Sequence, residues 1–268
     1  VFIEGESFEV TTFRSESDYD GRAPRAVAFV KTLYEDLSRR DFTINAMAMD
    51  RCGKIYDYFG GRNDLEKGLI RFVGNPEKRL EEDRLRIFRM VRFAQRYGFD
   101  LIGVPQCRVD ISPVSLERIQ KEFSEILISK QPSRGIKMLH QYGVLEQFLP
   151  EIIPLIGFDQ KSPHHLYDVF EHTMKALDVS SDALVVRLAV LFHDIGKPMT
   201  FSVDDLGNGH FFGHEIEGSL IAEKILKRLH YDAKTVDCVY RMIRYHMIPC
   251  EEMKMVGIRK LLRQISPE

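Results

Sequence analysis

One stretch, EEDRLRIFRMVRFAQRYGF at residues 81–99, constrains this chain more than any other. Ile87, Phe88, Val91 and Ala94, with Leu80 just ahead of them, recur at helical spacing and predict a buried stripe. Asp83, Arg86, Arg89 and Arg92 step by three along the other side, so one wide helical face is expected to carry a carboxylate and three guanidiniums. Upstream, RRDFTINAMAMD at residues 39–50 predicts a second charged helical segment spanning 42–49. The aromatic- and glycine-rich DYFGGRNDL turns the chain between the two. Together the segments describe a pocket for a nucleoside triphosphate.

Such a face can discriminate bases. Cytosine and adenine each present an exocyclic amino donor beside a bare ring-nitrogen acceptor, which an Asp and an Arg complement. Uracil and guanine reverse the pattern and leave both side chains unpaired, at about 1–3 kcal/mol per group in a closed site. Arg89 and Arg92, further along, are placed to take phosphates. A solvated helix in which Asp83 and Arg86 form an ordinary i,i+3 ion pair satisfies the same spacing.

Taken in order, FEVTTFR, RRDFTINAMA, DYFGGRNDL, EEDRLRIFRMVRFA and SLERIQKEF resemble the class II tRNA nucleotidyltransferase and poly(A) polymerase family, at similar spacing and over about the first 150 residues. The resemblance implies template-independent addition of C, C and A to the 3′ end of tRNA from CTP and ATP, by two-metal transfer with Mg2+. It implies an α/β head, the end of a nucleotidyltransferase sheet of the DNA polymerase beta superfamily, followed by an all-α neck. It assigns the motif holding Arg39, Arg40, Asp41 and Asn45 to the ribose and phosphates of the nucleotide, and that holding Asp83 and Arg86 to its base.

The family opens with a glycine-rich strand and turn and an Asp-x-Asp pair that holds two magnesium ions. This chain starts at Val1, without Met, and a stretch ahead of it is expected to supply them. Glu9, in FEVTTFR, resembles the third carboxylate and is the candidate catalytic residue; an outward-facing Glu between Phe8 and Val10 of a strand explains the same alternation. Residues 1–268 alone are expected to add nothing to tRNA.

A second constellation follows. Eight of the nine histidines fall between His164 and His246, and His172, His193, Asp194, His214 and His246 sit on apolar helical segments, each interval long enough for one helix and a turn. Neutral imidazoles with a carboxylate that can bridge suit a divalent transition metal. LFHDIGKP, with EHTMKAL before it and GHEIEGS after it, resembles the HD metal-dependent phosphohydrolase superfamily. That superfamily completes its site with one further Asp, which residues 259–268 do not offer; the Asp lies beyond residue 268, or the site is degenerate and structural.

The expected organisation is therefore an α/β head at 1–62, a helical neck for base recognition and RNA binding at 63–150, and a helical HD domain at 151–268 that is incomplete at its C-terminus. Ser15 to Asp20 read as the start of a flexible loop, and beyond Asn63 only helical periods are visible, broken near Gly98 to Pro105, Ser112–Pro113 and Gln131–Pro132. With 268 residues and 44% hydrophobic content the chain can bury more than one core. Its four cysteines, Cys52, Cys107, Cys238 and Cys250, form no C-x-x-C pair, which argues against a zinc knuckle and a disulfide framework. The longest apolar run, LVVRLAVLF, is interrupted by Arg187, so no membrane span is expected and a cytoplasmic location follows. A net charge of −2 hides a basic stretch: between Lys224 and Arg263 ten Lys and Arg face four acids, enough for local phosphate contacts or for an ordinary solvated face.

Two functions fit these features. The first is a tRNA nucleotidyltransferase adding C and/or A, with an appended HD domain. The second is an HD phosphohydrolase whose head and neck serve as an RNA-binding module, and poly(A) polymerases share the head motifs.

Overall fold

The computed structural model describes residues 2–3, 6–7, 10–19, 24–104, 108–161 and 167–248. The chain divides after Val114 into two compact units. The first is a mixed α/β assembly of small two-stranded sheets and short helices. The second, among the described residues, is helical apart from one short hairpin.

The α/β unit begins with two antiparallel hairpins, β1 (Phe2–Ile3) on β2 (Glu6–Ser7) and β3 (Arg14–Tyr19) on β4 (Pro24–Phe29). Strand β3 occupies residues where the sequence suggested the start of a loop. Helix α1 (Leu33–Ser38) opens on Thr32, whose hydroxyl accepts the Glu35 N–H at 3.3 Å. Its buried Asp36 accepts from the Arg14 N–H at 3.2 Å and from Arg39 Nη2 at 2.8 Å, with Arg40 Nη2 at 3.4 Å.

The helix expected over 42–49 does not form. Thr43 N–H donates to the Arg71 carbonyl at 2.9 Å, Val73 N–H donates to the Asp41 carbonyl at 3.0 Å, and Phe42 bridges Phe72. Backbone groups spent on a distant segment are not available to an i→i−4 ladder. A single 3-10 turn, Thr43–Asn45, leads into β5 (Met47–Met49), which pairs antiparallel with β6 (Ile55–Asp57). Helix α2 (Gly61–Lys67) starts where the Asp57 carboxylate accepts the N–H groups of Gly61 and Arg62, both at 2.9 Å. It lies so close to the 3-10 turn that a Cβ on Gly61 would stand 2.1 Å from the Thr43 carbonyl oxygen, which explains why DYFGGRNDL needs glycine there.

Strand β7 (Leu69–Ile70), helices α3 (Pro76–Glu82) and α4 (Arg86–Tyr97), and strand β8 (Asp100–Leu101), parallel to β7, complete this unit. The predicted stripe is its core, for Leu80, Ile87, Phe88, Val91 and Ala94 are all buried. The single long helix is not observed. Asp83 is extended (φ −148°, ψ 105°) and separates α3 from α4, its carboxylate accepting the Leu85 N–H at 3.1 Å. A short polar side chain that captures a neighbouring N–H competes with the helical ladder and breaks it.

The second unit contains α5 (Leu116–Leu127), α6 (Pro132–Gln141), α7 (Leu145–Phe148), α8 (Val169–Val179), α9 (Leu184–Phe192), α10 (Lys197–Thr200), the hairpin β9 (Ser202–Val203) and β10 (Gly209–His210), α11 (His214–Arg228) and α12 (Ala233–Tyr245). Strands β7 to β10 depart from the purely helical pattern expected beyond Asn63. Leu177, Leu188, Phe192, Ile225, Val239 and Ile243 are buried between α8, α9, α11 and α12. Arg187, in the middle of apolar α9, is buried too: its guanidinium donates to the carbonyls of Leu177 at 2.6 Å and Ser181 at 2.8 Å. Those carbonyls close α8, where the ladder leaves acceptors without partners and the helix dipole is negative. Among the described residues no helix is long and apolar enough to cross a membrane.

Two predictions follow from these buried charges. Arg187→Leu should lower the stability of the helical unit by about 1.5–3 kcal/mol, seen as a lower midpoint in urea, because it removes the two charge-assisted hydrogen bonds that tie α9 to the end of α8. Burial raises the Asp36 pKa, but the Arg39 hydrogen bond, the Arg14 N–H and the charges of Arg39 and Arg40 outweigh it and hold the carboxyl below its ordinary 3.8. A depressed pKa adds stability above the unfolded value that is lost as pH falls through the folded one. Asp36→Asn should therefore melt below the wild type at neutral pH but lose less between about pH 5 and pH 3.

Candidate nucleotide face and metal centre

In the α/β unit the charged side chains form one bonded network. Asp41 is buried; its Oδ1 accepts from the Phe42 N–H at 2.9 Å and Asn45 Nδ2 at 3.1 Å, and its Oδ2 accepts from Arg89 Nε at 2.8 Å and Nη2 at 2.6 Å. Arg40 Nη1 donates to the Asn45 carbonyl at 3.3 Å, and Arg39 Nη1 reaches Glu16 Oε1 at 2.9 Å. The guanidiniums of Arg89 and Arg92 lie 5.6 and 4.5 Å from the Phe93 ring centre. Arg40, Asp41, Asn45, Arg89 and Arg92 are thus brought together around α4 and the 3-10 turn.

Two of the residues assigned to base reading sit differently from the expected common face. Asp83 is in the link between α3 and α4. Arg86 is buried, and its guanidinium donates to Glu82 Oε2 at 2.7 Å, to the Arg79 carbonyl at 2.9 Å and to the Arg39 carbonyl at 3.1 Å. Arg86 therefore pairs with Glu82, four residues back across the break at Asp83, and not with the Asp83 carboxylate. The i,i+4 partner was legible as a spacing but was overlooked beside the i,i+3 one. Glu9 lies outside the described residues.

In the helical unit, His172 of α8, His193 and Asp194 after α9, His214 at the start of α11 and His246 at the end of α12 are gathered around the Asp194 carboxylate. Two triads, His172–His193–Asp194 and Asp194–His214–His246, each place their ligand atoms within 4.8 Å of one another. From Asp194 Oδ2, His193 Nε2 is at 3.2 Å and His172 Nε2 at 3.9 Å; from Oδ1, His214 Nε2 is at 3.5 Å. His193, His214 and His246 each turn Nδ1 to the carbonyl three residues back, Val190, Phe211 and Ile243, at 2.7–2.8 Å. That contact turns Nε2 to the carboxylate, the ring atom that ligates a metal once it gives up its proton.

The donor set fits a divalent ion. His214 Nε2 and His246 Nε2 stand 3.3 Å apart, the separation of two nitrogens at about 2.0–2.1 Å from one ion with an angle near tetrahedral. Burial, the largest cause, pushes the His246 pKa down. Burial acts to raise the Asp194 pKa, but His193 and the Lys197 ammonium override it and hold the carboxyl far below the usual range. Lys197 Nζ is 2.8 Å from Asp194 Oδ2, yet that oxygen is buried without a hydrogen bond of good geometry. Lys197 and its amide partner Gln160 were not singled out in the sequence; Lys197 stands one helical turn beyond Asp194 in HDIGKP, whereas Gln160 carries no local signal.

A glycine sets this convergence. A Cβ on Gly196 would stand 2.4 Å from the His214 carbonyl oxygen and 2.7 Å from the Gly218 nitrogen, so the turn after Asp194 rests directly on α11. Ligand distances tolerate only about 0.2 Å of error, so Gly196→Ala should weaken divalent-metal binding by about tenfold or more in calorimetric titration.

The chain matches three family models in succession: the poly A polymerase head domain over residues 1–71, the probable RNA and SrmB-binding site of polymerase A over 104–156, and the HD domain over 164–268. It is 45% identical over 203 residues to the CCA-adding enzyme of Bacillus subtilis, covering 72% of this chain and 49% of the relative. It is 37% identical over 254 residues to the A-adding tRNA nucleotidyltransferase of Deinococcus radiodurans, covering 88% and 58%. The crystal structure of the Bacillus stearothermophilus CCA-adding enzyme in complex with CTP superposes with a TM-score of 0.57 at 26% identity, covering 97% of this chain and 64% of that one. The chain spans about half the length of the curated relatives it matches. With head, RNA-binding and HD models matched in order, and the Arg39–Asp41 motif bonded to α4, the chain belongs to the class II CCA-adding tRNA nucleotidyltransferase family.

Proposed function

We propose that the protein is a tRNA nucleotidyltransferase that adds C and/or A residues to the 3′ end of tRNA from CTP and ATP, in the cytoplasm, with Mg2+ as the ion of the transfer. The observation that carries this reading is the double hydrogen bond from Arg89 to Asp41, because it joins the two segments whose resemblance implies nucleotide handling. Arg40, Arg89 and Arg92 hold the triphosphate, and Asp41 and Asn45 fix Arg89 and the turn beneath it. Asp83 accepts from the amino group of C or A and Arg86 donates to the adjacent ring nitrogen. Three of the five N–H groups of Arg86 are spent on Glu82, Arg79 and Arg39, which leaves two for a base. Glu9 contributes a carboxylate to the Mg2+ site. Residues 1–62 serve as the head, 63–150 as the neck that reads the base and binds RNA, and 151–268 as the HD domain.

The HD centre holds a divalent transition metal through His172, His193, Asp194, His214 and His246. When bound, such an ion supplies a nucleophilic hydroxide for phosphoester cleavage. His193, His214 and His246, by donating through Nδ1 to backbone carbonyls, keep Nε2 turned to it.

The nucleotide reading is tested by single-turnover incorporation with each of the four nucleotides. Asp83→Ala and Arg86→Ala should relax the preference for C and A by about tenfold or more, since each base-edge contact is worth about 1–3 kcal/mol of discrimination. Arg89→Ala should weaken all four nucleotides alike. Unchanged preference in the Asp83 and Arg86 variants would remove the templating role.

A further inference from the structure

Lys197 occupies a position that the nucleotidyl-transfer reading does not use. It opens α10, one helical turn beyond Asp194, and its ammonium is buried among three partners. These are Asp194 Oδ2 at 2.8 Å, Gln160 Oε1 at 2.8 Å and the Phe211 ring, whose centre is 5.3 Å away. Gln160, also buried, has its orientation set by Nε2, which donates to the Tyr167 carbonyl at 3.2 Å and so leaves Oε1 as the acceptor facing Lys197. Its backbone is held in turn by β10: the Gly209 N–H donates to the Lys161 carbonyl at 2.8 Å, and a Cβ on Gly209 would stand 2.2 Å from the Gln160 carbonyl oxygen.

Asp194 Oδ2 is also the oxygen that His193 and His172 face. An ammonium and a divalent cation directed at one carboxylate oxygen repel each other and share the same lone pairs. We propose that Lys197 is an internal cation that competes with the metal for Asp194, and that Gln160 is a positioning residue that sets the balance of that competition. The inference rests on the reading that the centre holds a divalent ion. A metal that takes Oδ2 does not need to expel the ammonium into water, because the amide oxygen of Gln160 and the face of Phe211 remain as its seat. The charge state and length of residue 160 therefore tune metal affinity without that residue touching the ion.

The competition predicts effects of opposite sign at one position. Gln160→Glu offers the ammonium a second carboxylate and draws it off Asp194, so metal should bind more tightly. Gln160→Leu leaves Asp194 as its main partner, so metal should bind more weakly. Lys197→Met removes the competitor. The test is titration of the intact protein with Co2+, followed by calorimetry and by the visible absorption of the ion, with a melting curve for each variant. A charge-assisted hydrogen bond of this type corresponds to about tenfold in an equilibrium constant, so Lys197→Met and Gln160→Glu should each tighten the Co2+ Kd by about that factor, and Gln160→Leu should weaken it several-fold. A purely structural role for Gln160 predicts loss of affinity in both of its variants. That result, or a Lys197→Met protein no tighter than wild type, overturns the proposal while leaving the metal site in place. A wild-type titration in which calorimetry finds no stoichiometric binding of Co2+ overturns the metal reading itself, and this inference with it.

Discussion

A carboxylate taken out of water has to be satisfied by donors, because burying it alone costs several kcal/mol. Asp41 meets this requirement with two sets of donors, the turn of residues 42–45 on one oxygen and the Arg89 guanidinium on the other. Asp41 and Arg89 are 48 residues apart in sequence, so the demand of one buried charge holds the Arg39–Asp41 segment against α4. Asp36, Asp64 and Glu82 repeat the solution nearby: Asp64 takes the Thr43 hydroxyl at 2.7 Å and Arg71 Nε at 3.0 Å, and Glu82 takes Arg79 and Arg86. The arginines of this unit are therefore oriented by its own acids.

The helical unit uses buried charge for two purposes. Arg187 is structural, closing the carbonyl end of α8. Asp194 is held ionised among imidazoles and an ammonium, and all four helices that supply the centre meet there at their ends or on their inner faces. Nδ1 of three of those imidazoles is fixed by a carbonyl of its own helix end or of the preceding turn, so local backbone geometry presets the ligand orientation. The neighbouring backbones of Gly196 and Gly218 allow that approach, and any larger residue at Gly196 meets backbone that cannot yield cheaply.

Much of this arrangement was legible in the chain itself. The period of Leu80, Ile87, Phe88, Val91 and Ala94 identified the buried side of α3 and α4, because burial of a helical stripe depends only on local spacing. The spacing of His172, His193, His214 and His246 was long enough to let them converge, as they do, but the intervals are not one helix and a turn each: 193–214 holds α10 and the β9–β10 hairpin, and 214–246 holds two helices. Other features were misread for one recurring reason. Residues 42–49 have the composition of a helix but spend their backbone groups on residues 71–73 and 55–57, and Asp83 spends its side chain on a local N–H. Arg86 is directed inward by Glu82 and by the carbonyl of Arg39, a residue 47 positions away.

Sequence alone determined which residue types are available and at what periods they recur: an arginine-rich face, a carboxylate beside it, and an His-Asp pair flanked by spaced histidines. Tertiary structure alone decided which acid takes which arginine, that Gln160 and Lys197 meet beside Asp194, and that a turn and strand replace a helix after Asp41. Periodicity reports the balance of burial within one element. The partner of a buried charge or of a backbone N–H is chosen by proximity after folding, and proximity between segments tens of residues apart leaves no local trace.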